Sequence, residues 1–188
     1  MRIQTLTVGP VGTCCYILSR EGRDDCLVID PGDEAARIRK AAAEKKIAAI
    51  LLTHGHFDHI GAVRDLMAED TRLVIHELDA PMLPDPARNV SLALLQCPVT
   101  APAPTDTVRE GSRLTLAGLD IQVLHTPGHT PGSSCFLIEN HLFTGDTLFE
   151  HGWGRTDFPG GDEHALFASL RRLMPMTKTL PFHPGHNS

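Results

Sequence analysis

The chain of 188 residues lacks any long apolar segment. No stretch approaches the 18 continuous apolar residues that a membrane-spanning helix needs, so we expect no membrane partner. The first residues, from Met1 to Leu6, also lack the apolar core of a secretory signal peptide. With 41% hydrophobic and 21% charged residues, the composition is that of an ordinary globular protein, which we expect in the cytoplasm.

Positive charge is scarce as well. Lysine and arginine number 17 against 23 acidic residues, which gives a net charge of −6. The basic residues are scattered, apart from a segment at 37–46 whose interspersed alanine and isoleucine residues indicate a surface helix. A nucleic-acid partner is therefore disfavoured, because a binding groove for nucleic acid needs clustered positive charge.

Paired cysteines are missing too. The five cysteines at positions 14, 15, 26, 97 and 135 form an odd set without a Cys-x-x-Cys motif. Most of them lie in apolar, strand-like runs, where a free thiol behaves as a small hydrophobic side chain. We therefore predict no disulfide framework and a reducing compartment.

Histidine, by contrast, is frequent, and one cluster brings three histidines and an aspartate into six positions: His54, His56, Asp58 and His59. An apolar run at 49–52 precedes the cluster and predicts a short buried strand. The cluster thus begins where a strand ends, a common position for functional groups. Because imidazole and carboxylate suit zinc, iron or manganese, the cluster predicts a divalent-metal site rather than a loop that is merely rich in histidine.

Three further candidate ligands follow downstream. His129 lies between two Thr-Pro-Gly turns, Asp146 follows a strand-like run that ends in glycine, and His186 follows the apolar segment 179–182. Each of them alone is weak evidence, since a histidine or aspartate beside glycine is usually a turn residue. In this order behind strands they support one another, and together with the first cluster they give the seven ligands that a dinuclear site needs.

This order of motifs resembles that of the metallo-β-lactamase superfamily over nearly the whole chain. The resemblance implies a first ion held by His54, His56 and His129, a second held by Asp58, His59 and His186, and a bridging Asp146. It also implies that Asp30, at a strand end, orients a metal-bound histidine. The implied fold is an α/β, four-layer αββα sandwich of two mixed sheets with helices outside, as a single domain over residues 1–188.

The pattern of apolar residues predicts the elements of such a fold. The predicted strands are 3–8, 15–18, 26–29, 49–52, 73–76, 114–116, 119–124, 134–138, 142–143 and 179–182. The predicted helices are 34–45 with Asp33 as its cap, 59–68, and 162–174 with Asp162 as its cap. Residues 77–108 contain six prolines and predict one short helix and otherwise loop, as a lid or as packed surface.

Within the superfamily, the segments 126–133, 143–149 and 154–157 look most like the glyoxalase II-type thioester hydrolases of the short bacterial branch. That likeness implies hydrolysis of a thioester such as S-lactoylglutathione by a hydroxide that bridges two divalent ions, zinc first, with iron or manganese as alternatives. Asp58 would accept a proton during turnover. The helical glutathione-binding domain that larger relatives carry at the C-terminus is not expected here.

Two features remain open. Arg155 stands near the position of a substrate-binding lysine of the family, so it either anchors a substrate carboxylate or pairs with Asp157. The stretch around Arg155 also resembles that of persulfide dioxygenases, which would hold one iron with His54, His129 and Asp146. Hydrolysis of a different ester or of a lactone, and metal binding without catalysis, are also compatible with the sequence. The oligomeric state is not predicted.

Overall fold

The computed structural model describes residues 1–43 and 45–187. In that part of the chain the strands are β1 (Arg2–Val8), β2 (Thr13–Ser19), β3 (Asp25–Ile29), β4 (Lys46–Leu51), β5 (Arg72–His76), β6 (Asp106–Val108), β7 (Arg113–Leu116), β8 (Leu119–His125), β9 (Ser134–Ile138), β10 (His141–Gly145) and β11 (Phe182–Pro184). The α-helices are α1 (Ala35–Ala41), α2 (Phe57–Ile60), α3 (Val63–Leu66), α4 (Ser91–Leu95) and α5 (Glu163–Thr177). None of the helices in the described ranges is long and apolar enough to cross a membrane.

The strands form two mixed sheets. The first has the order β1-β2-β3-β4-β5-β6, with antiparallel pairing from β1 to β3 and parallel pairing from β3 to β6. The second has the order β11-β10-β9-β8-β7, antiparallel except for the parallel pair β10 and β11. Parallel strands need a crossover between them, and this explains why the helices lie outside the sheets.

Three apolar clusters separate four layers. On β4, Ile50 packs towards α1, α2 and α3, whereas its neighbour Leu51 packs between the two sheets. Such alternation with both faces buried is typical of a central parallel strand. On the far side of the second sheet, Leu124 and Leu142 pack against Leu173 of α5. The predicted αββα sandwich is therefore confirmed.

The strand directions explain where the predicted site lies. Strands β3 and β4 run in parallel, so the residues that follow them, Asp30 and 53–59, come together at one edge. Strands β8, β10 and β11 also share one direction, because β8 and β10 are each antiparallel to β9. The two edges meet where the backbone N–H of Ser134 donates to the carbonyl of Thr53 at 2.8 Å.

Most predicted elements lie within one or two residues of the observed ones, and strand 134–138 has the predicted bounds. The predicted cap of the last helix is also confirmed, since the Asp162 carboxylate accepts from the N–H of Ala165. The helix itself continues to Thr177, three residues beyond the predicted end. As a result, the strand predicted at 179–182 is wrong in position: β11 begins only at Phe182.

Two predicted helices are shorter or broken. The helix predicted at 34–45 covers only Ala35–Ala41, and residue 44 lies outside the described residues. Asp33 is not its cap, because Glu34 takes the N-cap position with a left-handed backbone, and no side chain caps the first turn. The C-terminal end is explained by Ala43, whose φ of 53° does not continue a helix.

The helix predicted at 59–68 is divided into α2 and α3 by a tertiary contact. The backbone N–H of Ala62 donates to the carbonyl of Pro31 at 2.9 Å instead of continuing the helix. At Gly61 the same loop lies so close that a Cβ atom would come within 2.2 Å of the carbonyl oxygen of Gly32. Because this contact is remote in sequence, the local apolar pattern did not indicate the break.

Residues 77–108 are more ordered than one short helix and loop. They contain a 3-10 turn at Ala80–Met82 and the short strand β6, besides α4. Strand β6 has only three residues and is visible only through its parallel pairing with β5. The prediction of a single element in this segment was therefore wrong.

Candidate metal centre

The seven predicted ligands lie together at the shared edge of the two sheets. Three overlapping groups have their ligand atoms within 4.8 Å of one another. These groups are His54 with His56 and His129, His54 with His59 and Asp146, and Asp58 with His59 and His186. The first sheet supplies the cluster that follows β4, and the second supplies the residues after β8, β10 and β11. Each sheet alone would give an incomplete set.

His129 has a defined tautomer. Its Nδ1 lies 2.7 Å from the carbonyl oxygen of Arg155, which can only accept, so Nδ1 carries the proton. The unprotonated Nε2 then faces inward, 2.9 Å from Nδ1 of His56. Two imidazole nitrogens at that distance repel unless a proton or a cation lies between them.

His54 is oriented in the same way by Thr53. The Thr53 hydroxyl donates to Asp30 at 2.6 Å and therefore accepts from Nδ1 of His54 at 3.2 Å. Nε2 of His54 is left without a proton and points into the site. Asp30 also lies 3.0 Å from Nδ1 of His59, which directs Nε2 of His59 towards the carboxylates. The structure thus places Asp30 beside a candidate ligand, as the resemblance implied.

The interior of the site fits divalent cations. Among the described residues, Nε2 of His54, His56 and His59 and Oδ1 of Asp146 are buried without a hydrogen-bond partner. Buried polar atoms are rarely left unpaired in folded proteins. Nε2 of His54 and of His59 and Oδ1 of Asp146 face the centre, and His56 presents its Nδ1 there. Imidazole nitrogens and a carboxylate oxygen in one place have the chemistry of a site for zinc, iron or manganese.

The two sets of imidazoles differ in their electrostatics. Burial lowers the pKa of His54 well below its usual range, and burial together with His129 lowers the pKa of His56 to about 3. Both are therefore neutral, the form that binds a metal. Burial has the same tendency at His59, but Asp58, Asp146 and Asp30 outweigh it and raise its pKa to about 9.

The carboxylates attract positive charge to the second half of the site. Burial opposes the charged form of Asp58, but His59 and His186 hold its pKa well below the usual range. Nε2 of His186 lies 3.3 Å from Oδ2 of Asp58 and 3.4 Å from Oδ2 of Asp146. A bound cation would supply the charge that protonated histidines otherwise provide, and its binding would release protons.

The last candidate ligand, His186, is positioned by tight backbone packing. The N–H of Gly185 donates to the carbonyl of Gly145, and its own carbonyl accepts from the N–H of Cys14. A Cβ atom at Gly185 would lie 2.1 Å from Oδ1 of Asp146, so glycine is required there. This packing brings His186 next to the carboxylates.

One polar residue of the site was missed by the sequence analysis. Asp79 is fully buried and accepts from the N–H of Gly55, the Thr130 hydroxyl and the N–H of Gly132, at 3.1, 2.6 and 2.6 Å. It therefore connects the loop of His54 and His56 to the loop of His129. Asp79 follows β5, but a single aspartate after an apolar run gave no signal to separate it from an ordinary turn residue.

A cavity of about 500 Å³ opens above the ligands. Five of the predicted ligands contribute to its base, and apolar side chains form most of its walls. The wall residues are Val11, Phe57, Val90, Leu94, Phe149, Trp153 and Phe158. The predicted substrate-binding residue Arg155 lies at this cavity too, but its guanidinium pairs with both oxygens of Asp157 at 2.6 and 2.7 Å.

Comparison with known proteins agrees with this geometry. The family described as the metallo-beta-lactamase superfamily matches residues 8–175. The hydroxyacylglutathione hydrolase GloC of Haemophilus influenzae is 34% identical, over 100% of this chain and 92% of GloC. The range of the family match contains every candidate ligand except His186, and the match to GloC spans all seven positions.

Two solved structures resemble this chain in both fold and sequence. BLEG-1 B3 metallo-beta-lactamase has a TM-score of 0.89 and 34% identity, over 100% of this chain and 92% of its own. TTHA1623, solved in a di-iron-bound form, has a TM-score of 0.79 and 38% identity, over 98% of this chain and 92% of its own. A lactamase and a protein solved with two irons thus share this architecture.

Proposed function

Because this chain belongs to the metallo-beta-lactamase superfamily, we propose that it is a hydrolase that cleaves a thioester with the help of two divalent ions. His54, His56 and His129 would hold one ion, Asp58, His59 and His186 the other, and Asp146 would contact both. The observation that carries the proposal is the convergence of these side chains in three overlapping ligand groups. Zinc is the proposed metal, and iron is the alternative that the di-iron form of TTHA1623 suggests.

Two bound cations would lower the pKa of a water molecule so that hydroxide is available at neutral pH to attack a carbonyl carbon, and they would supply positive charge for the oxygen of that carbonyl. The residues of the chain would position these partners. Asp58 is proposed to accept the proton of the attacking water. Its Oδ2 accepts from the Thr13 hydroxyl at 3.1 Å, which fixes the orientation of the carboxylate.

A thioester suits the cavity better than an amide does. A thiolate leaves without a proton, whereas an amine needs a general acid. Apart from the candidate ligands, Arg155 is the only titratable side chain among the described residues that line the cavity, and a guanidinium does not give up a proton. The lack, among the described lining residues, of a proton donor that is independent of the candidate ligands therefore supports thioester rather than β-lactam hydrolysis, and the similarity to GloC supports it further.

The dioxygenase alternative needs fewer of these residues. A single iron would occupy His54, His129 and Asp146 and would leave Asp58, His59 and His186 without a role. Yet these three residues form a ligand group of their own, in which His59 is buried and Asp58 and His186 are partly buried. This second group favours the two-ion hydrolase over a one-iron enzyme.

Thiol release from S-lactoylglutathione and from S-lactoyl-N-acetylcysteamine, followed with the metal-loaded protein, tests the proposal. His56→Ala should lose metal and turnover, and Asp146→Asn should be impaired more than any single histidine variant because it would serve both ions. His164→Ala, on the exposed face of α5, is the matched control and should keep full activity. No thiol release from either substrate, or full activity of His56→Ala, would refute the proposal.

A further inference from the structure

The surface around the mouth of the cavity is unusually apolar. Seven large hydrophobic side chains are exposed in the described part of the chain, and four of them surround this opening. These four are Val11, Leu94, Leu95 and Trp153, each more than 40% exposed. Contiguous apolar surface beside a cavity is usually a binding surface.

The apolar region extends into a second cavity. This cavity, of about 190 Å³, shares Val11, Phe57 and Asp58 with the main one, so the two adjoin each other beside the candidate metal site. Its other walls include Pro10, Leu95 and Val99. When the bond to be cleaved in a substrate lies beside Asp58, the substrate groups on both sides of it would therefore contact mainly apolar walls.

Outside the candidate metal site, positive charge for a carboxylate is almost absent from the described lining of both cavities. In the second cavity the charged lining residues that the structure describes are Asp33 and Asp58. In the main cavity, apart from the histidines, the sole cation among the described residues is Arg155. Its guanidinium is paired with Asp157 through two hydrogen bonds and lies 4.1 Å from the ring centre of Phe158.

Glutathione carries two carboxylates and one ammonium group, and each carboxylate that enters an apolar cavity without a partner costs free energy. The net charge of −6 adds repulsion at long range. We infer that this site prefers thioesters with an apolar group and a thiol that has no carboxylate, and that glutathione conjugates bind less well. This inference rests on the proposed thioester hydrolysis, but its test does not depend on turnover.

Trp153 offers a direct test. It is the single tryptophan of the chain and lines the cavity, so its fluorescence reports binding of ligands that cannot be hydrolysed. We would titrate the metal-loaded protein with four thioethers: S-methyl and S-hexyl derivatives of glutathione and of N-acetylcysteamine. The hexyl compounds should bind at least about tenfold more tightly than the methyl compounds on both thiols, since methylene groups become buried.

The carrier thiol should contribute little. The dissociation constant of S-hexyl-N-acetylcysteamine should be equal to or lower than that of S-hexylglutathione. Tighter binding of the glutathione compound by about tenfold, or equal binding of methyl and hexyl compounds, would overturn the inference. Hydrolysis of hexanoyl-N-acetylcysteamine, measured separately, tests the proposed function, so that the two can fail independently.

Two leucines of α4, two positions apart, provide matched variants. Leu94 lines the cavity, whereas Leu92 is similarly exposed but is not part of its lining. Leu94→Asn should weaken binding of the hexyl compounds by roughly threefold to tenfold, and Leu92→Asn should leave it unchanged. Equal effects of both variants would mean that the hexyl group binds elsewhere, which contradicts the inference.

The ion pair at Arg155 can be opened with one substitution. Asp157→Asn removes the partner charge, so binding of S-hexylglutathione should improve by about threefold at low salt and return to the original value at high salt. Binding of the uncharged N-acetylcysteamine compound should not change. If Asp157→Asn leaves glutathione binding unaltered at all salt concentrations, the ion pair is not what disfavours carboxylates, and that part of the inference is wrong.

Discussion

In several imidazoles of the site, the partner of the outer nitrogen determines which nitrogen faces the centre. The outer nitrogens of His54, His59 and His129 lie beside Thr53, Asp30 and the carbonyl of Arg155 respectively. Partners of this kind fix both the tautomer and the ring orientation of a metal-binding histidine. The candidate ligands can be recognised in the sequence, but these supporting contacts cannot, because each depends on a neighbouring strand or loop.

Substitution of Asp79 best separates the positioning of the candidate ligands from direct binding of a metal ion. Asp79→Asn keeps the volume but turns an N–H₂ group towards either Gly132 or the pair of Gly55 and Thr130, which are donors. The free energy of unfolding should fall by about 1–3 kcal/mol, and zinc affinity by about tenfold, although no candidate ligand is changed. Urea denaturation and chelator competition measure the two effects.

A matched control for Asp79→Asn is Asp70→Asn. Asp70 is exposed and its carboxylate pairs only with Lys46 in the described part of the chain. This variant should keep both stability and zinc affinity. If Asp79→Asn behaved like the control, Asp79 would not hold the two loops in place.

The order of strand ends made the site predictable at the level of elements. Each ligand cluster follows a strand, and the parallel directions of β4 with β3 and of β8 with β10 and β11 bring these ends together. Buried strands and the last helix have strong local patterns, and their positions were predicted well. The break between α2 and α3, the short strand β6 and the start of β11 depend on contacts remote in sequence, so local patterns did not reveal them.

Two histidines at strand ends give the fold a dependence on pH. His76, at the end of β5, is buried and stacks on His125, at the end of β8, with ring centres 4.1 Å apart. Burial, and next to it His125, lowers the pKa of His76 from 6.5 to about 4, against the opposite influence of Glu77 and Glu110. Folding therefore favours the neutral form of the His76 side chain.

A lowered pKa in the folded state means that the unfolded chain binds more protons between pH 6.5 and 4. The contribution of His76 is complete above pH 6.5 and is lost as the pH falls to about 4, at most about 3 kcal/mol. His76→Asn keeps an acceptor for the N–H of Leu78 and should flatten the decline in stability of the metal-free protein, as urea denaturation measures it. The control His164→Asn should leave this decline unchanged. If His76→Asn lost as much stability on acidification as the original protein does, the role assigned to His76 would be contradicted.

At the scale of the whole molecule, the site joins the two sheets. His54, His56, Asp58 and His59 belong to the first sheet, and the other three candidate ligands belong to the second. Ions bound by both sets would therefore stabilise the packing of one sheet on the other, in addition to the apolar cluster between them.

Zinc should accordingly raise the free energy of unfolding by about 4 kcal/mol when its free concentration is a thousandfold above its dissociation constant. His54→Ala from the first sheet and His129→Ala from the second should each reduce this gain, because both sheets contribute ligands. Urea denaturation with zinc and with chelator measures the difference. Equal stability in the two conditions would show that no ion links the sheets.

The metal content of the purified protein tests the central claim most directly. Elemental analysis should give about two divalent ions per chain, zinc or a mixture with iron, and a clear loss in His56→Ala. One iron per chain, retained when Asp58 or His186 is replaced by alanine and accompanied by oxygen consumption with a persulfide, would contradict the two-ion hydrolase and favour the dioxygenase.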